Sequence, residues 1–132
     1  MVIVDSNIIF DLWDRDPLWC SWSAQQLRSL SASHDLAINA VIYAEISARF
    51  SSQANLDKAV SELGLILLDM AREAAFLAGK AFLQYRKKGG NRTSVLPDFF
   101  IGAHAASLHC EILTRDAQPY ATYFPTVGLI AP

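Results

Sequence analysis

The 132-residue chain has only two cysteines, no long apolar stretch and no excess of basic residues, and each shortage removes a class of function. Cys20 and Cys110 lie far apart and at no metal-ligand spacing, which argues against a disulfide scaffold or a cysteine-zinc site. They read as free thiols in a reducing compartment, small apolar groups of a core. No stretch approaches the roughly 18 apolar residues that span a bilayer, and no basic segment precedes Val2-Ile3-Val4 as it would in a secretory leader. A soluble, cytoplasmic protein with no membrane association is expected. The net charge of −2 argues against a generic polybasic nucleic-acid binder. Repeats, low-complexity tracts and Pro/Ser-rich linkers are missing too. Residues 1–132 are therefore expected to form one domain, and a hydrophobic content of 52% suffices for one sizeable core.

What the chain does have is alternation. Val2-Ile3-Val4 is short, β-branched and continuous, which suits a strand buried on both faces, and it turns at 5–7 into helical spacing through Trp13. Helical spacing returns over 18–31. A strand at 35–38 leads into a helix that Asn39 is placed to cap. Residues 53–63 read as a helix closed by Gly64, and 65–68 as a third buried strand. The longest helix runs from Ala71 to about Lys88, ended by Gly89-Gly90. A polar loop at 91–94 precedes a helix over 97–109, a strand at 112–114, a turn at Gln118-Pro119 and a last strand near 127–130. Strands alternating with helices imply βαβ units and a parallel sheet, an α/β fold.

Four acidic residues sit where a carboxylate is awkward to place. Asp5 ends the first apolar run, Asp116 follows Ile112-Leu113-Thr114-Arg115, and Asp98 opens the helix after Pro97. Glu45 falls about 40° from Val41 on a helical wheel, on a face directed at the protein. Each has a plainer alternative: Asp5 as a helix cap, Asp98 as a dipole complement, Asp116 as a turn residue, Glu45 as a solvated glutamate. Together they suggest one pocket, because ligand sites of open parallel sheets lie beyond the carboxyl ends of strands. Buried carboxylates must be paired or bind metal, and no Lys or Arg stands obviously ready for four of them. Oxygen-only ligands favour Mg²⁺ or Mn²⁺, and zinc is disfavoured for want of His or Cys at ligand spacing. Setting the four aside leaves nine acids against eleven bases, a slightly basic remaining surface.

The segments Val-Asp-Ser-Asn-Ile-Ile at 4–9, Asn-Ala-Val-Ile-Tyr-Ala-Glu-Ile at 39–46, Leu-Pro-Asp-Phe-Phe-Ile-Gly-Ala-His-Ala at 96–105 and Ile-Leu-Thr-Arg-Asp at 112–116 closely resemble the PIN-domain ribonucleases. Within that family they resemble the VapC-type toxins of bacterial type II toxin–antitoxin modules, and the likeness spans the chain. It implies a PIN-like three-layer fold with a four- or five-stranded parallel sheet between helices. It also implies a catalytic, metal-binding quartet of Asp5, Glu45, Asp98 and Asp116, supported by Ser6, Asn7 and Thr114. The implied activity is Mg²⁺- or Mn²⁺-dependent endoribonuclease cleavage leaving 5′-phosphate and 3′-hydroxyl ends. The implied partners are an RNA substrate, a cognate antitoxin protein and a second copy in a homodimer. Many relatives carry an acid two positions after the fourth-motif aspartate, where this chain has Gln118; one tightly held metal, with another recruited by RNA, is then expected.

Among the bases, Arg86, Lys87, Lys88 and Arg92 gather just before Asp98. Lys88 and especially Arg92, which lies beyond the helix end, are the RNA-binding candidates. His104 and His109 fall on an apolar helix and read as core histidines, His34 as a turn residue, and Trp13, Trp19 and Trp22 as core or in part an interaction groove. Two competing readings remain. A sheet-borne phosphatase is disfavoured because the third position of its Asp-x-Asp pair is Asn7. A degenerate PIN domain serving as a protein-interaction module is disfavoured by the intact acids.

Overall fold

The computed structural model describes residues 1–93 and 96–132. Ser94, the last residue of the expected polar loop, and Val95 lie outside them. Five strands, β1 (Val2–Val4), β2 (Leu36–Asn39), β3 (Leu65–Leu68), β4 (Glu111–Leu113) and β5 (Leu129–Ile130), form one sheet. Its order is β3-β2-β1-β4-β5 and every pairing is parallel. Between them run α1 (Ser6–Trp13), α2 (Cys20–Ser31), α3 (Ala40–Ser47), α4 (Gln53–Glu62), α5 (Arg72–Lys87), α6 (Pro97–Leu108) and α7 (Gln118–Tyr123).

Successive strand residues face opposite sides of a sheet. Val2, Ile3 and Val4 are all fully buried, as are Ala37, Ile38, Ile112 and Leu113, so the central strands are covered on both faces. α1 packs on α2 and α3, while α5 packs on α6 and α7, which gives the two helical layers. Capping explains where several helices begin. Asn39 accepts from the Ile42 amide at 3.0 Å to start α3, and Ser52 accepts from Asn55 at 3.1 Å to start α4. Pro97 occupies the first turn of α6, where its missing N–H costs nothing. Gly89, with φ of 92°, follows α5 in a conformation that residues with a Cβ rarely adopt.

Three expectations need correction. β3 is one edge of the sheet: Leu65 is buried, but Ile66 and Leu67 are 47% and 53% exposed, since β3 pairs with β2 alone among the described strands. The expected turn at Gln118-Pro119 is instead the start of α7, with Pro119 in its first turn. Trp13 and Trp22 pack against the core from its rim and are only half-buried, whereas Trp19 lies outside the core cluster, edge-on to Trp22. Cys20 and Cys110 are free thiols and also only half-buried.

The strand order reverses direction at β1, whose neighbours are β2 on one side and β4 on the other. The loops leaving β1 and β4 therefore diverge to opposite sides and open a crevice between them, the usual ligand position of such sheets.

Candidate active site

Asp5 stands at that crevice and is 5% exposed. It caps α1, its Oδ1 accepting the Ser6 amide at 2.8 Å, so the plainer role as a helix cap is real. Its other oxygen, Oδ2, accepts the Thr114 hydroxyl at 2.8 Å, the Tyr120 hydroxyl at 2.9 Å and, more weakly, the Asn7 amide at 3.4 Å. A cap needs one oxygen; the second is held by Thr114 and Tyr120 from far along the chain, with neighbouring Asn7 as a weaker third.

Asn7 and Thr114 stitch the two diverging loops together. The Asn7 Nδ2 lies 3.2 Å from Thr114 Oγ1, and its Oδ1 accepts the Arg115 amide at 3.1 Å. Thr114 Oγ1 in turn accepts the Asp116 amide at 3.1 Å. Thr114 is fully buried, and with three polar neighbours its hydroxyl is well satisfied.

Asp98 enters from the first turn of α6, its Oδ1 3.4 Å from the Tyr120 hydroxyl. One phenol oxygen thus touches both Asp5 and Asp98. Having a single proton, it donates along the shorter contact, to Asp5. Glu45 comes from α3, half-buried, and its Oε1 is shielded from solvent without a hydrogen-bond partner among the described residues. α3 is pinned to α6 by the buried contact of Asn39 Nδ2 with His104 Nδ1 at 3.1 Å, which fixes the helices that carry Glu45 and Asp98. His104 is the core histidine that its apolar helix suggests, but only its Nδ1 is satisfied: Nε2 is buried without a hydrogen-bond partner among the described residues, and burial pushes the ring's pKa down.

The charges feel one another. Burial first, then the Asp5 charge, push the Glu45 carboxyl up, with the Ser6 side chain pulling the other way. Asp98 is raised by burial, Asp5 and Asp116. For Asp5, burial outweighs the Thr114, Tyr120 and Ser6 hydrogen bonds, and the net direction is again upward. Asp116 is exposed, beyond the end of β4, yet near enough to raise both Asp5 and Asp98. The structure thus brings all four acids to one crevice.

The chemistry of these donors, though not their spacing, suits a divalent cation. The donor set is all oxygen, one buried Glu45 oxygen has no hydrogen-bond partner among the described residues, and three carboxyls are destabilised as anions by burial and by neighbouring acid charges. The nearest guanidinium is engaged elsewhere: Arg115 Nε forms an ion pair at 2.9 Å with Asp11, itself 1% exposed, and its guanidinium carbon lies 5.6 Å from the Trp19 ring centroid. Among the described residues no three acidic, His or Cys side chains stand together at ligand spacing.

Beside Asp98 and Asp116 opens a cleft of about 420 Å³ with Tyr85, Phe99, Gln118 and Tyr123 in its walls. Lys88 reaches over the Tyr123 ring, its Nζ 5.5 Å from the centroid. Arg92 is exposed at the same end; its amide lies 3.4 Å from the Tyr85 hydroxyl and its carbonyl accepts from Arg86 at 2.7 Å.

Tyr120 and the Asp11–Arg115 pair are absent from the sequence reading. Tyr120 had a usable signal, since it lies four residues before Phe124 and one after Pro119, a helical spacing with a helix-starting proline. Asp11 had none, because its partners are Ser23, which donates at 2.6 Å, and a guanidinium more than a hundred residues away.

A family model described as PIN domain matches residues 2–125. No curated protein matches the chain. Among solved structures, VapBC2 from Rickettsia felis, bound to a DNA fragment from its promoter, is similar with a TM-score of 0.75 at 17% identity, covering 99% of this chain and 98% of that one. VapBC-1 from nontypeable Haemophilus influenzae gives 0.71 at 20%, with 99% and 98% covered, and FitAcB from Neisseria gonorrhoeae 0.66 at 20%, with 98% and 96% covered. At these identities the likeness is one of fold.

Proposed function

The chain belongs to the PIN-domain family, and from that premise we propose that it is a divalent-metal-dependent endoribonuclease, the toxin of a type II toxin–antitoxin pair. The observation that carries the proposal is the gathering of Asp5, Glu45, Asp98 and Asp116 at one crevice with an unpartnered buried Glu45 oxygen. A scaffold has no use for such charges, since an unpaired buried carboxylate is strongly destabilising. The similar VapBC and FitAB complexes support the toxin reading, as each pairs two components under one name.

In this reading the four acids are the residues that would hold Mg²⁺ or Mn²⁺. When bound, such an ion supplies a lowered pKa for the attacking water and neutralises charge on the transition state. The chain's own residues do the rest. Thr114, Asn7 and Tyr120 fix the Asp5 oxygens before the substrate arrives, so no reorganisation is needed at the moment of reaction. Glu45 and Asp98, held by the Asn39–His104 contact, close the other sides. Arg92 and Lys88 draw RNA phosphates toward the cleft. An antitoxin arginine placed among the four acids would substitute for the metal's charge and inhibit. A homodimer completes the proposed assembly.

Incubation of the purified protein with structured RNA and with a generic phosphomonoester, with and without Mn²⁺ and EDTA, tests the proposal. RNA should be cut only with Mn²⁺, and Asp5→Asn, which can still cap α1, should lose activity while keeping its fold. Phosphomonoester turnover, or metal-independent cleavage, would refute it.

A further inference from the structure

The cleft beside Asp98 and Asp116 has a wall that phosphodiester hydrolysis does not use. Phe99 and Tyr123 meet edge to face with centroids 5.2 Å apart, and Tyr85 lies 5.6 Å from Phe99 and 6.3 Å from Tyr123. Phe99 is buried and serves as the floor, whereas both tyrosines are only half-buried and border open volume. The exposed Gln118 also lines the cleft, at the start of α7, where its carbonyl accepts the Thr122 hydroxyl at 2.9 Å.

We propose that this wall is a nucleobase subsite: one unpaired base of a single-stranded RNA, next to the phosphate that enters the acidic crevice, stacks on Tyr123 and turns its edge to Gln118. The inference rests on the ribonuclease reading and deepens it by naming what the site grips besides phosphate. Three observations converge. The volume lies within the range of small-ligand pockets. The Tyr123 ring already carries a cation, Lys88, on a flexible stem that can move to the adjoining phosphate and leave the ring to a base. Gln118 offers both a donor and an acceptor without charge, which suits a base edge and does not repel phosphate as a carboxylate would.

Polarity along the cleft agrees with a nucleotide's own. The acids lie at one end, and Arg86, Lys88 and Arg92 at the other, where the next phosphate would run. Paired RNA cannot enter, because its bases are already stacked; a loop or single strand can.

The test is anisotropy of a labelled single-stranded RNA on the full chain in EDTA, with one abasic nucleotide moved stepwise along the strand. One position should weaken binding roughly five- to hundredfold, the range of lost base–aromatic stacking. That penalty should vanish in Tyr123→Ala and persist in Tyr123→Phe. A penalty flat along the strand, one unchanged in Tyr123→Ala, or no binding at all would overturn the subsite. Because the abasic scan on unaltered protein needs no mutation, it stands even where Tyr123→Ala folds poorly. Cleavage assays with Mn²⁺ separate the two claims: position-dependent binding without cleavage keeps the subsite and sinks the nuclease, and cleavage with a flat profile does the reverse.

Discussion

Tyr120→Phe removes one oxygen and nothing else, and its consequence can be worked from the contacts. The phenol is 1% exposed and donates at 2.9 Å to Asp5 Oδ2, and burial together with the charges of Asp5 and Asp98 pushes its pKa far up, so it stays a donor across the accessible pH range. Loss of a hydrogen bond to a charged group costs about 1.5–3 kcal/mol. Asp5 Oδ2 keeps Thr114 at 2.8 Å and Asn7 at 3.4 Å, which argues for the lower part of that range, about 1.5–2 kcal/mol. With an unfolding entropy of roughly 2.1 cal/mol/K per residue over 132 residues, the melting temperature should fall by about 5–7 °C in EDTA. Saturating Mn²⁺ should shrink the gap, since a bound cation takes over part of the compensation. Circular dichroism melts in both buffers give the answer. A variant that melts with the parent in EDTA, or above it, would show that the hydroxyl does not hold Asp5 in the way described.

Arg115→Ala should destabilise by about 2–3 kcal/mol, below the usual loss for a broken buried pair because the arginine side chain is 30% exposed while Asp11 is 1% exposed. Urea titration measures it, and adding Asp11→Asn should recover part; no change in midpoint would refute the pairing. Gly102→Ala in α6 should lower stability by about 1–3 kcal/mol despite alanine's better helix propensity, since the added methyl meets the Phe124 ring. A higher melting temperature would contradict that packing. His104 is held neutral by burial, so its folded pKa is lowered; the stability it contributes is present above the unfolded value near pH 6.5 and is lost as pH falls below it. Between pH 7 and 5 the parent should lose more stability in urea than His104→Gln, and equal slopes would exclude the effect.

Local pattern carried far in this chain where one residue's environment depends on its neighbours in sequence. Val2-Ile3-Val4 could only be a doubly covered strand, Asn39 was recognisable as a cap, and Glu45 already pointed inward on its wheel, and the structure agrees on each. Legibility ended where environment came from afar. Leu65 to Leu68 are as apolar as β1, but whether a strand is central or an edge depends on what lies beside it, and among the described residues no strand pairs with β3's outer side. Pro119 reads as a turn because a six-residue helix leaves almost no periodicity, and with α7 went Tyr120, whose hydroxyl lies against the carboxylates of both Asp5 and Asp98. Asp116 was expected at a strand end but stands past it and exposed, since β4 stops at Leu113. The cation that sequence could not find, Arg115, adjoins Asp116 and is spent on Asp11.

The bonds that hold Asp5 join residues 109 and 115 positions apart, Thr114 and Tyr120. During translation its carboxylate therefore waits without these partners until the last fifth of the chain leaves the ribosome. β1 shares that wait, since it is a central strand whose neighbour β4 is made more than a hundred residues later. Pairings so distant in sequence form slowly. A ribosome-stalled chain ending before Glu111 should accordingly take up no Mn²⁺ at Asp5. For a protein proposed to destroy RNA, that order of synthesis keeps each nascent copy harmless to the machine that is making it.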